Sequence, residues 1–247
     1  MAGGSPKPVT PAFGFAAAPR LSSDGKLVLF VHSYEGQDNL ALAAAHGETW
    51  PVKLVSGHDF YMQPCWHPDG LRIAFIAWDH PNMPWDGTQL YLAQVGMRQD
   101  GLAWLESCDT IAGGAEISVF QPEFSPDGRF LAYVSDQTGW WQLYVFDLAS
   151  GEHHQLTFAA AEHGLPAWVQ GLRSYCFSPD SKWIYIVRSQ EGEDHLWRIE
   201  LSSGQEDCIP LSVPYQSLSQ PAISPDGQRI ALIASAGDIP PRLITVE

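Results

Sequence analysis

One short turn recurs five times along this chain, and its spacing limits the folds that the sequence can adopt. The turn combines Pro, which presets φ at its second position, Asp, whose side chain bonds the nearby backbone, and Gly, which tolerates positive φ. Successive Asp residues of the turn are separated by 45, 58, 53 and 46 residues. The five copies are Ser23-Asp24-Gly25, His67-Pro68-Asp69-Gly70, Ser125-Pro126-Asp127-Gly128, Ser178-Pro179-Asp180-Ser181 and Ser224-Pro225-Asp226-Gly227.

Apolar runs rich in β-branched and aromatic residues follow each copy of the turn. The first runs cover residues 27–31, 73–77, 130–134, 183–187 and 230–234, and the next cover 40–42, 90–92, 143–145, 196–199 and 243–246. Such runs between turn signals indicate the strands of an antiparallel meander. Repeats of about 40 to 50 residues with four strands are typical of propeller blades. The sequence therefore predicts an all-β fold, a β-propeller of about five four-stranded antiparallel blades.

The repeats predict a single β-propeller domain over residues 1–247, with blades at roughly 16–55, 56–114, 115–161, 162–213 and 214–247. Residues 1–13 contain Pro6-Lys7-Pro8-Val9-Thr10, which matches the tail of a blade, whereas the fifth repeat lacks a fourth strand. Residues 1–13 are therefore the candidate ring-closing strand, because their pairing would remove two exposed strand edges. A fragment of a longer propeller, cut at both ends, also fits the sequence.

Composition and charge limit the kinds of partner that this chain is expected to bind. The chain is 45% hydrophobic and 17% charged, which is typical of a folded globular protein. Its net charge of −15, with 13 Lys and Arg, argues against a nucleic-acid partner, which needs clustered cations. We expect no membrane partner, because no apolar run is long enough to span a bilayer. The N-terminus lacks the apolar stretch of a signal peptide, so a cytoplasmic location is expected.

The segment 79–88 is the most distinctive local stretch, and two prolines restrict it. Loops on rigid scaffolds often carry function, so this loop is a candidate to line a pocket or to bind a cationic group. The ordinary alternative is structural, with the carboxylates capping turns and the Trp packing between blades. The spacing matches no metal-ligand pattern, and no metal is expected. The candidate substrate-facing residues here are Asp79, His80, Asn82, Trp85 and Asp86.

Three further candidates lie in the third and fourth repeats. Trp140 and Trp141 occupy the connection between the second and third strands of the third repeat, where core packing is the ordinary alternative. Arg173 could offer a bidentate donor for a carboxylate, although an Arg at the surface or between blades is the more ordinary interpretation. Catalytic motifs are missing from the sequence: it has no Gly-x-Ser-x-Gly, no His-Glu-x-x-His, no P-loop and no Gly-x-Gly-x-x-Gly. We therefore assign no catalytic residue and expect no cofactor.

Longer strings resemble known families. The Ser-Pro-Asp-Gly repeats resemble propeller repeats of the TolB type, which are related to WD40 propellers. The strings at 54–61, 78–88, 120–128, 135–141 and 168–171 look like the propeller of acylaminoacyl-peptidase and dipeptidyl-aminopeptidase-like enzymes of the prolyl oligopeptidase family. The most specific of them is Asp79-His80-Pro81-Asn82-Met83-Pro84-Trp85-Asp86.

In that family a propeller precedes an α/β-hydrolase domain with a Ser-Asp-His triad and limits access to it. The resemblance thus implies a non-catalytic propeller of a serine peptidase, with an α/β-hydrolase domain or subunit and a peptide substrate as partners. No position of this chain matches the triad, and family propellers usually have seven or eight blades. The alternative is a free-standing TolB-like propeller that binds a protein or peptide. A five-bladed glycosidase would need converging carboxylates, and the sequence places no such pair.

Overall fold

The computed structural model describes residues 7–10, 12–47, 50–97 and 103–247 of the chain. These residues form strands and turns, and no helix is present among them. The described ranges accordingly contain no helix that could span a membrane. The chain divides into two compact units, Met1–Glu116 and Ile117–Glu247, which are described separately below.

The first unit contains two four-stranded antiparallel sheets. The first sheet has the order β1-β2-β3-β4, and the second has the order β5-β6-β7-β8. Their strands are β1 (Phe15–Leu21), β2 (Leu27–Tyr34), β3 (Gln37–Ala44), β4 (Val52–Val55), β5 (Phe60–Trp66), β6 (Arg72–Trp78), β7 (Gln89–Met97) and β8 (Ala103–Gly113).

The second unit contains two four-stranded sheets and one three-stranded sheet. The third sheet is β9-β10-β11-β12, the fourth is β13-β14-β15-β16 and the fifth is β17-β18-β19. Their strands are β9 (Val119–Phe124), β10 (Phe130–Ser135), β11 (Gln142–Asp147), β12 (His153–Gln155), β13 (Tyr175–Phe177), β14 (Trp183–Gln190), β15 (Glu193–Glu200), β16 (Glu206–Ile209), β17 (Ser217–Ile223), β18 (Ile230–Ala236) and β19 (Ile239–Val246).

Every sheet pairs strands in chain order, so the five sheets are five consecutive meanders. This confirms the predicted all-β fold of about five antiparallel blades. The blade boundaries and the ring-closing role of residues 1–13 stay predictions. Residues 1–6 and 11 of that segment lie outside the described residues, and residues 7–10 and 12–13 are not in a strand.

The recurring turn is held by a serine hydroxyl. In the third sheet, the Ser125 hydroxyl donates to Asp127 Oδ1 at 2.6 Å and accepts from the Phe130 amide at 2.9 Å. The hydroxyl thus joins the turn to the first residue of the next strand. The same pair of bonds recurs at Ser22 and Asp24, at Ser178 and Asp180, and at Ser224 and Asp226.

The first and second turns depart from the expected pattern. In the first turn the bonding serine is Ser22, and Ser23 occupies the position of the proline. In the second turn His67 replaces the serine, and its Nδ1 accepts from the Asp69 amide at 3.1 Å. The imidazole is buried, and Arg72 lies 2.9 Å from its Nε2. The ring nitrogen thus accepts from the amide two residues on, whereas the serine hydroxyls accept from the amide five residues on.

A β-bulge interrupts the first strand of four sheets at the residue before a proline. Ala18, Gln63, Gln121 and Gln220 have φ values of 49°, 50°, 51° and 57°, in the left-handed region that non-glycine residues seldom adopt. The pairing of each strand with its neighbour shifts register at this point. A bulge re-aims the side chains that follow it. The recurring Gln-Pro pairs in the sequence therefore mark bulges.

The bulge residue of the third sheet, Gln121, also forms hydrogen bonds with the first strand of the fourth sheet and the residue before it. The Gln121 amide oxygen accepts from the Ser174 backbone amide at 2.6 Å, and its nitrogen donates to the Tyr175 carbonyl at 2.7 Å. The Tyr175 hydroxyl donates back to the Gln121 carbonyl. All three residues are buried, so these bonds form without competition from water.

Each sheet has two faces, which we name by their residues. The leading face carries the residue seven positions after the turn Asp, together with its cross-strand partner on the third strand of the sheet. The opposite face of the sheet is the trailing face. In the first unit, Val31 and Leu40 of a leading face share a core with Phe75 of the next trailing face. The leading pairs are Val31 and Leu40, Ile76 and Leu90, Val134 and Leu143, Val187 and Leu196, and Ile233 and Leu243.

The same packing recurs in the second unit. Val187 and Leu196 of the fourth sheet share a core with Leu232 and Ala234 of the fifth. A leading face of branched aliphatic side chains thus packs on the trailing face of the following sheet. Because each middle sheet is apolar on both sides, it needs a neighbour on each side.

Ser125→Ala tests the role of the turn hydroxyl. We expect the free energy of unfolding to fall by about 2 kcal/mol, because the hydroxyl makes two hydrogen bonds with a usual net value of about 1 kcal/mol each. Chemical denaturation followed by tryptophan fluorescence measures the change. Ser23→Ala is the matched control, because Ser23 lies in the same kind of turn but outside the bonded pair. Equal losses in the two variants would contradict this role.

Candidate functional site

The predicted site residues all lie in connections at one end of their own sheets. In an antiparallel meander, the connection from the second to the third strand and the connection to the next sheet emerge at the same end. Residues 79–88 connect β6 to β7, residues 136–141 connect β10 to β11, and residues 156–174 connect β12 to β13. The candidates are therefore distributed over both units.

In the first unit, two His–Asp pairs cross between neighbouring connections. Asp79 accepts from the Asp59 amide at 2.7 Å, and its other oxygen lies 2.8 Å from His58 Nδ1. In return, one Asp59 oxygen lies 2.9 Å from both the His80 amide and its ring Nδ1. The His80 amide and then its ring hold the pKa of Asp59 below its ordinary value. Each connection thus holds the other through a charged carboxylate.

Two of the remaining candidates on this loop brace it through hydrogen bonds. Asn82 donates to the Ala115 carbonyl at 2.8 Å, and Asp86 accepts from the Met83 amide at 2.9 Å. Trp85 is half-buried. These contacts agree with the structural alternative, in which the loop residues cap turns. Their role towards a substrate stays a prediction.

His58 extends this cluster to a tyrosine. Its Nε2 lies 2.8 Å from the Tyr91 hydroxyl, so Asp79, His58 and Tyr91 form a chain of contacts. Such a chain resembles the acid–base–nucleophile order of hydrolases. Burial also raises the pKa of Tyr91. These contacts tie the loop that carries Asp79 to strand β7, which carries Tyr91.

The second unit contains a cavity of about 310 Å³ beside two of the predicted residues. Trp141 and Arg173 both line it. Its apolar lining is Trp141, Leu165, Pro166, Val187 and Leu218, and its charged lining is Glu162, Arg173 and Asp194.

Arg173 is held by Glu123 of the neighbouring sheet. One terminal nitrogen of Arg173 donates to both Glu123 oxygens, at 2.9 and 2.7 Å. Burial opposes the charge of Arg173, but Glu123, together with Cys176 and Tyr175, outweighs the effect of burial, and the pKa of Arg173 lies above its ordinary value. The guanidinium is thus held in place and charged, and its buried Nε has no hydrogen-bond partner among the described residues.

Each of the two carboxylates of the cavity accepts a backbone hydrogen bond. Glu162 accepts from the Trp141 amide at 2.9 Å, and Asp194 accepts from the Leu218 amide at 2.9 Å. In each case one carboxylate oxygen makes the bond. Because Glu123 neutralises Arg173, Glu162 and Asp194 leave the cavity with an excess of negative charge.

The adjacent tryptophans have different environments. Trp141 is 9% exposed and packs edge-on against Phe120, whereas Trp140 is 43% exposed. A Cβ at position 164 would lie 3.1 Å from the Trp141 ring, so Gly164 allows the close approach of this connection. The structure therefore brings Trp141 and Arg173 to one cavity, and Trp140 is not among the residues that line it.

A buried histidine supports the wall of this cavity. His163 is fully buried, its Nδ1 lies 3.0 Å from the Trp141 carbonyl, and its Nε2 accepts from Arg188 Nε at 2.8 Å. Arg188 also pairs with Glu206 and lies 4.0 Å from the Trp197 ring centre. Burial and then the charge of Arg188 lower the pKa of His163 to about 4. The imidazole is therefore neutral at pH 7, with its proton on Nδ1.

Sequence reasoning did not identify the carboxylates or the histidine of this cavity. Glu123 did carry a signal, because it follows Gln121-Pro122 where other repeats have Cys65, Cys176 or Ala222. Glu162 and Asp194 lie in polar stretches where carboxylates are common. Burial raises the pKa of Cys176 to about 12, so that thiol is not a nucleophile at neutral pH. No three His, Cys, Asp or Glu side chains in the described ranges are arranged to hold a metal ion.

Comparison with known proteins shows the family. The model of the TolB beta propeller domain, PD40, matches residues 102–242. The chain belongs to this family. Among curated proteins, this PD40 chain is similar to dipeptidyl-peptidase 5 of Porphyromonas gingivalis, with 27% identity over 63% of the chain and 21% of that protein. It is also similar to a TolB homologue of Chlorobium luteolum, with 27% identity over 61% of the chain and 30% of that protein.

A solved structure agrees over nearly the whole PD40 chain. A puromycin-hydrolysing peptidase of Mycobacterium tuberculosis matches 97% of the chain and 37% of its own length, with 27% identity and a TM-score of 0.82. The chain thus spans between about a fifth and two fifths of these relatives. The resemblance to prolyl oligopeptidase (S9) peptidases and to TolB is confirmed.

Asp79→Ala tests the crossed His–Asp pairs of the PD40 chain. We expect a loss of about 1 kcal/mol in the free energy of unfolding, because the Asp59 amide and His58 each lose an acceptor while water replaces part of the interaction. Asp109→Ala is the control, since Asp109 is exposed on β8. Urea denaturation measures both variants. A change no larger than that of the control would show that the pairs do not hold the loops.

His163 makes stability depend on pH. Its pKa is about 4 in the folded chain against an ordinary 6.5, so between these values the unfolded chain binds the proton more readily. Stability is therefore complete above about pH 6.5 and falls as the pH is lowered, by at most about 1.4 kcal/mol per pH unit.

Urea midpoints of wild type and His163→Asn between pH 7.5 and 4.5 measure this dependence. We expect a shallower slope in His163→Asn, because Asn does not titrate. His154→Asn is the control, since His154 is exposed, and its slope should match that of the wild type. Parallel slopes in all three proteins would rule out a buried, neutral His163.

Proposed function

We propose that this chain is the non-catalytic propeller part of a serine peptidase of the prolyl oligopeptidase family. In this role it gates and orients peptide substrates for an α/β-hydrolase domain or subunit. The observation that carries the proposal is the likeness to a puromycin-hydrolysing peptidase along almost all of the chain. The missing Gly-x-Ser-x-Gly agrees with a supporting role, because the usual hydrolase nucleophile is not in this sequence.

The cavity of the second unit supplies the chemistry for holding a peptide. Its volume of about 310 Å³ suits one or two residues of a chain. The apolar wall accepts a side chain, and the negative excess of Glu162 and Asp194 favours a cation. A peptide offers both together at its amino terminus, where the α-ammonium group lies next to the first side chain.

Arg173 adds a second contact to this proposal. Its buried Nε is a donor without a hydrogen-bond partner among the described residues. A buried donor left unpaired costs about 1 to 3 kcal/mol, and a peptide carbonyl that reaches it after a small shift of the cavity lining would remove that cost. Because Glu123 holds the guanidinium, the donor keeps its direction whether or not a ligand is present.

The substrate-facing role of Asp79, His80, Asn82, Trp85, Asp86 and Trp140 belongs to the same proposal. These residues lie in connections at the sheet ends, where loops on rigid scaffolds carry binding sites. The crossed pairs would set the shape of the entrance in the first unit. Trp140, with 43% of its surface exposed, is available for contact.

A free-standing propeller that binds a protein or peptide is the second candidate. The similarity to a TolB homologue of Chlorobium luteolum favours it. In this case the sheet ends would form a binding surface for a partner, and blocking the amino terminus of a peptide would not matter. That difference separates the two candidates.

Calorimetric titration of the chain with a short peptide, with and without an N-terminal acetyl group, tests the first candidate. We expect the free amine to bind and the acetylated peptide to bind at least tenfold more weakly, which is about 1.4 kcal/mol. Glu162→Gln with Asp194→Asn should abolish this preference. Glu152→Gln is the control, since Glu152 is exposed on another part of the unit.

Three outcomes decide between the candidates. Loss of the preference in the double variant supports the orienting role. Equal binding of both peptides favours the free-standing binding propeller. Hydrolysis of the peptides by the purified chain would overturn the non-catalytic assignment.

A further inference from the structure

The apolar wall of the cavity in the second unit combines residues of strands and of connections. Val187 comes from β14 and Leu218 from β17, whereas Trp141 precedes β11, and Leu165 and Pro166 belong to the connection between β12 and β13. Trp141, Val187 and Leu218 are 9%, 8% and 4% exposed. A ligand group beside this wall is therefore stabilised by apolar contact and not by hydrogen bonds.

The two carboxylates of the cavity are held in place through their backbones. Glu162 and Ser189 exchange two backbone hydrogen bonds, at 2.9 and 2.8 Å. The Asp194 amide donates to the Gln216 carbonyl at 3.0 Å. Because Ser189 lies on the same strand as Val187, the negative charge of Glu162 keeps a fixed position relative to the apolar wall.

Leu165 differs from the other apolar residues of the wall. Val187 and Leu218 belong to a core shared by the fourth and fifth sheets, and Trp141 packs against Phe120. Changes at these three positions would disturb the packing of the sheets. Leu165 instead lies in a connection and is half-buried. Its side chain can therefore vary in size with less effect on the fold.

The residues on either side fix the backbone of Leu165. A Cβ at position 164 would lie 3.1 Å from the Trp141 ring and 3.2 Å from Val134, so Gly164 lets this connection lie directly on the third sheet. Pro166 restricts the residue before it to an extended backbone. Leu165 therefore contributes to the cavity wall from one fixed position.

We infer that the cavity selects peptides whose first residue has an uncharged, apolar side chain, and that Leu165 sets the size of that side chain. The inference rests on the proposed function, in which the amino terminus of a peptide enters the cavity. With the α-ammonium group paired to Glu162 and Asp194, the first side chain lies against the apolar wall. An acidic side chain is disfavoured there, because it loses water and is repelled by the same two carboxylates.

An uncharged polar side chain is also disfavoured. Asn is close to Leu in size, but its amide would give up hydrogen bonds to water that the apolar wall does not replace. A single methylene group in a hydrophobic pocket already changes affinity about tenfold. We therefore expect at least about this factor between a peptide that begins with Leu and one that begins with Asn.

Calorimetric titration of the full chain with peptides of sequence X-Ala-Ala is the experiment, with Leu, Asn, Glu or Trp as the first residue X. We expect the Leu peptide to bind about tenfold more tightly than the Asn peptide. The Glu peptide should bind most weakly, and the Trp peptide should bind less tightly than the Leu peptide because of its size. Each peptide is also measured with an acetylated amino terminus, which tests the proposed function separately.

Leu165→Ala tests the role of Leu165 through a gain of binding. The shorter side chain enlarges the cavity, so the Trp peptide should gain about tenfold in affinity relative to the Leu peptide. Partial unfolding cannot produce such a gain, because it weakens the binding of every peptide. Leu148→Ala is the matched control and should keep the wild-type order of affinities. Leu148 is also half-buried, but it lies between β11 and β12, at the other end of the third sheet.

The outcomes separate this inference from the proposed function. Equal affinities for the Leu, Asn and Glu peptides, together with a preference for the free amino terminus, would overturn the selection by the wall and leave the proposed function in place. An unchanged order of affinities in Leu165→Ala would overturn the role of Leu165. Equal binding of free and acetylated peptides, or no binding of any peptide, would overturn the proposed function and this inference with it.

Discussion

Every sheet of this protein has two apolar faces, and a neighbour must cover each of them. This requirement follows from the alternation of side chains along a strand, because apolar residues lie on both faces of the sheets. Within each unit a leading face packs on the trailing face of the next sheet. The depth of burial of a sheet therefore depends on its place in the series. The exposed pair Ile233 and Leu243 is the place where this requirement is not met within the described residues.

Packing of sheets also explains why the candidate sites lie where they do. The side chains of the strands form the core. The polar groups that could bind a ligand therefore lie in the connections at the sheet ends. Two devices hold these connections in place: crossed His–Asp pairs in the first unit, and a buried His163 with Arg188 in the second. Both use charged or polar groups whose bonding capacity is nearly filled. These contacts hold the connections rigid. Arg173 Nε, by contrast, has no hydrogen-bond partner among the described residues.

The fold was predictable because the turn signal and the apolar runs repeat, so that five weak local patterns support one another. The loops that carry the candidate residues could be located from the sequence, whereas the contacts of these residues could be predicted only in part. The connections were identified from Asp79–Asp86, Trp140, Trp141 and Arg173, yet the partners of these residues lie up to 50 positions away, as Glu123 does from Arg173. A single sequence does not reveal such pairs, because carboxylates are common along the whole chain.

The sequence by itself determined the number of meanders, the place of each turn and the sites of the bulges, since these depend on residues that are neighbours in the chain. Tertiary structure decided which charges meet and which faces remain exposed. Leu40 and Leu243 occupy the same position in their repeats, yet their exposure is 0% and 73%. Their local sequences cannot account for this difference, because burial is a property of what packs against a residue and not of the residue itself.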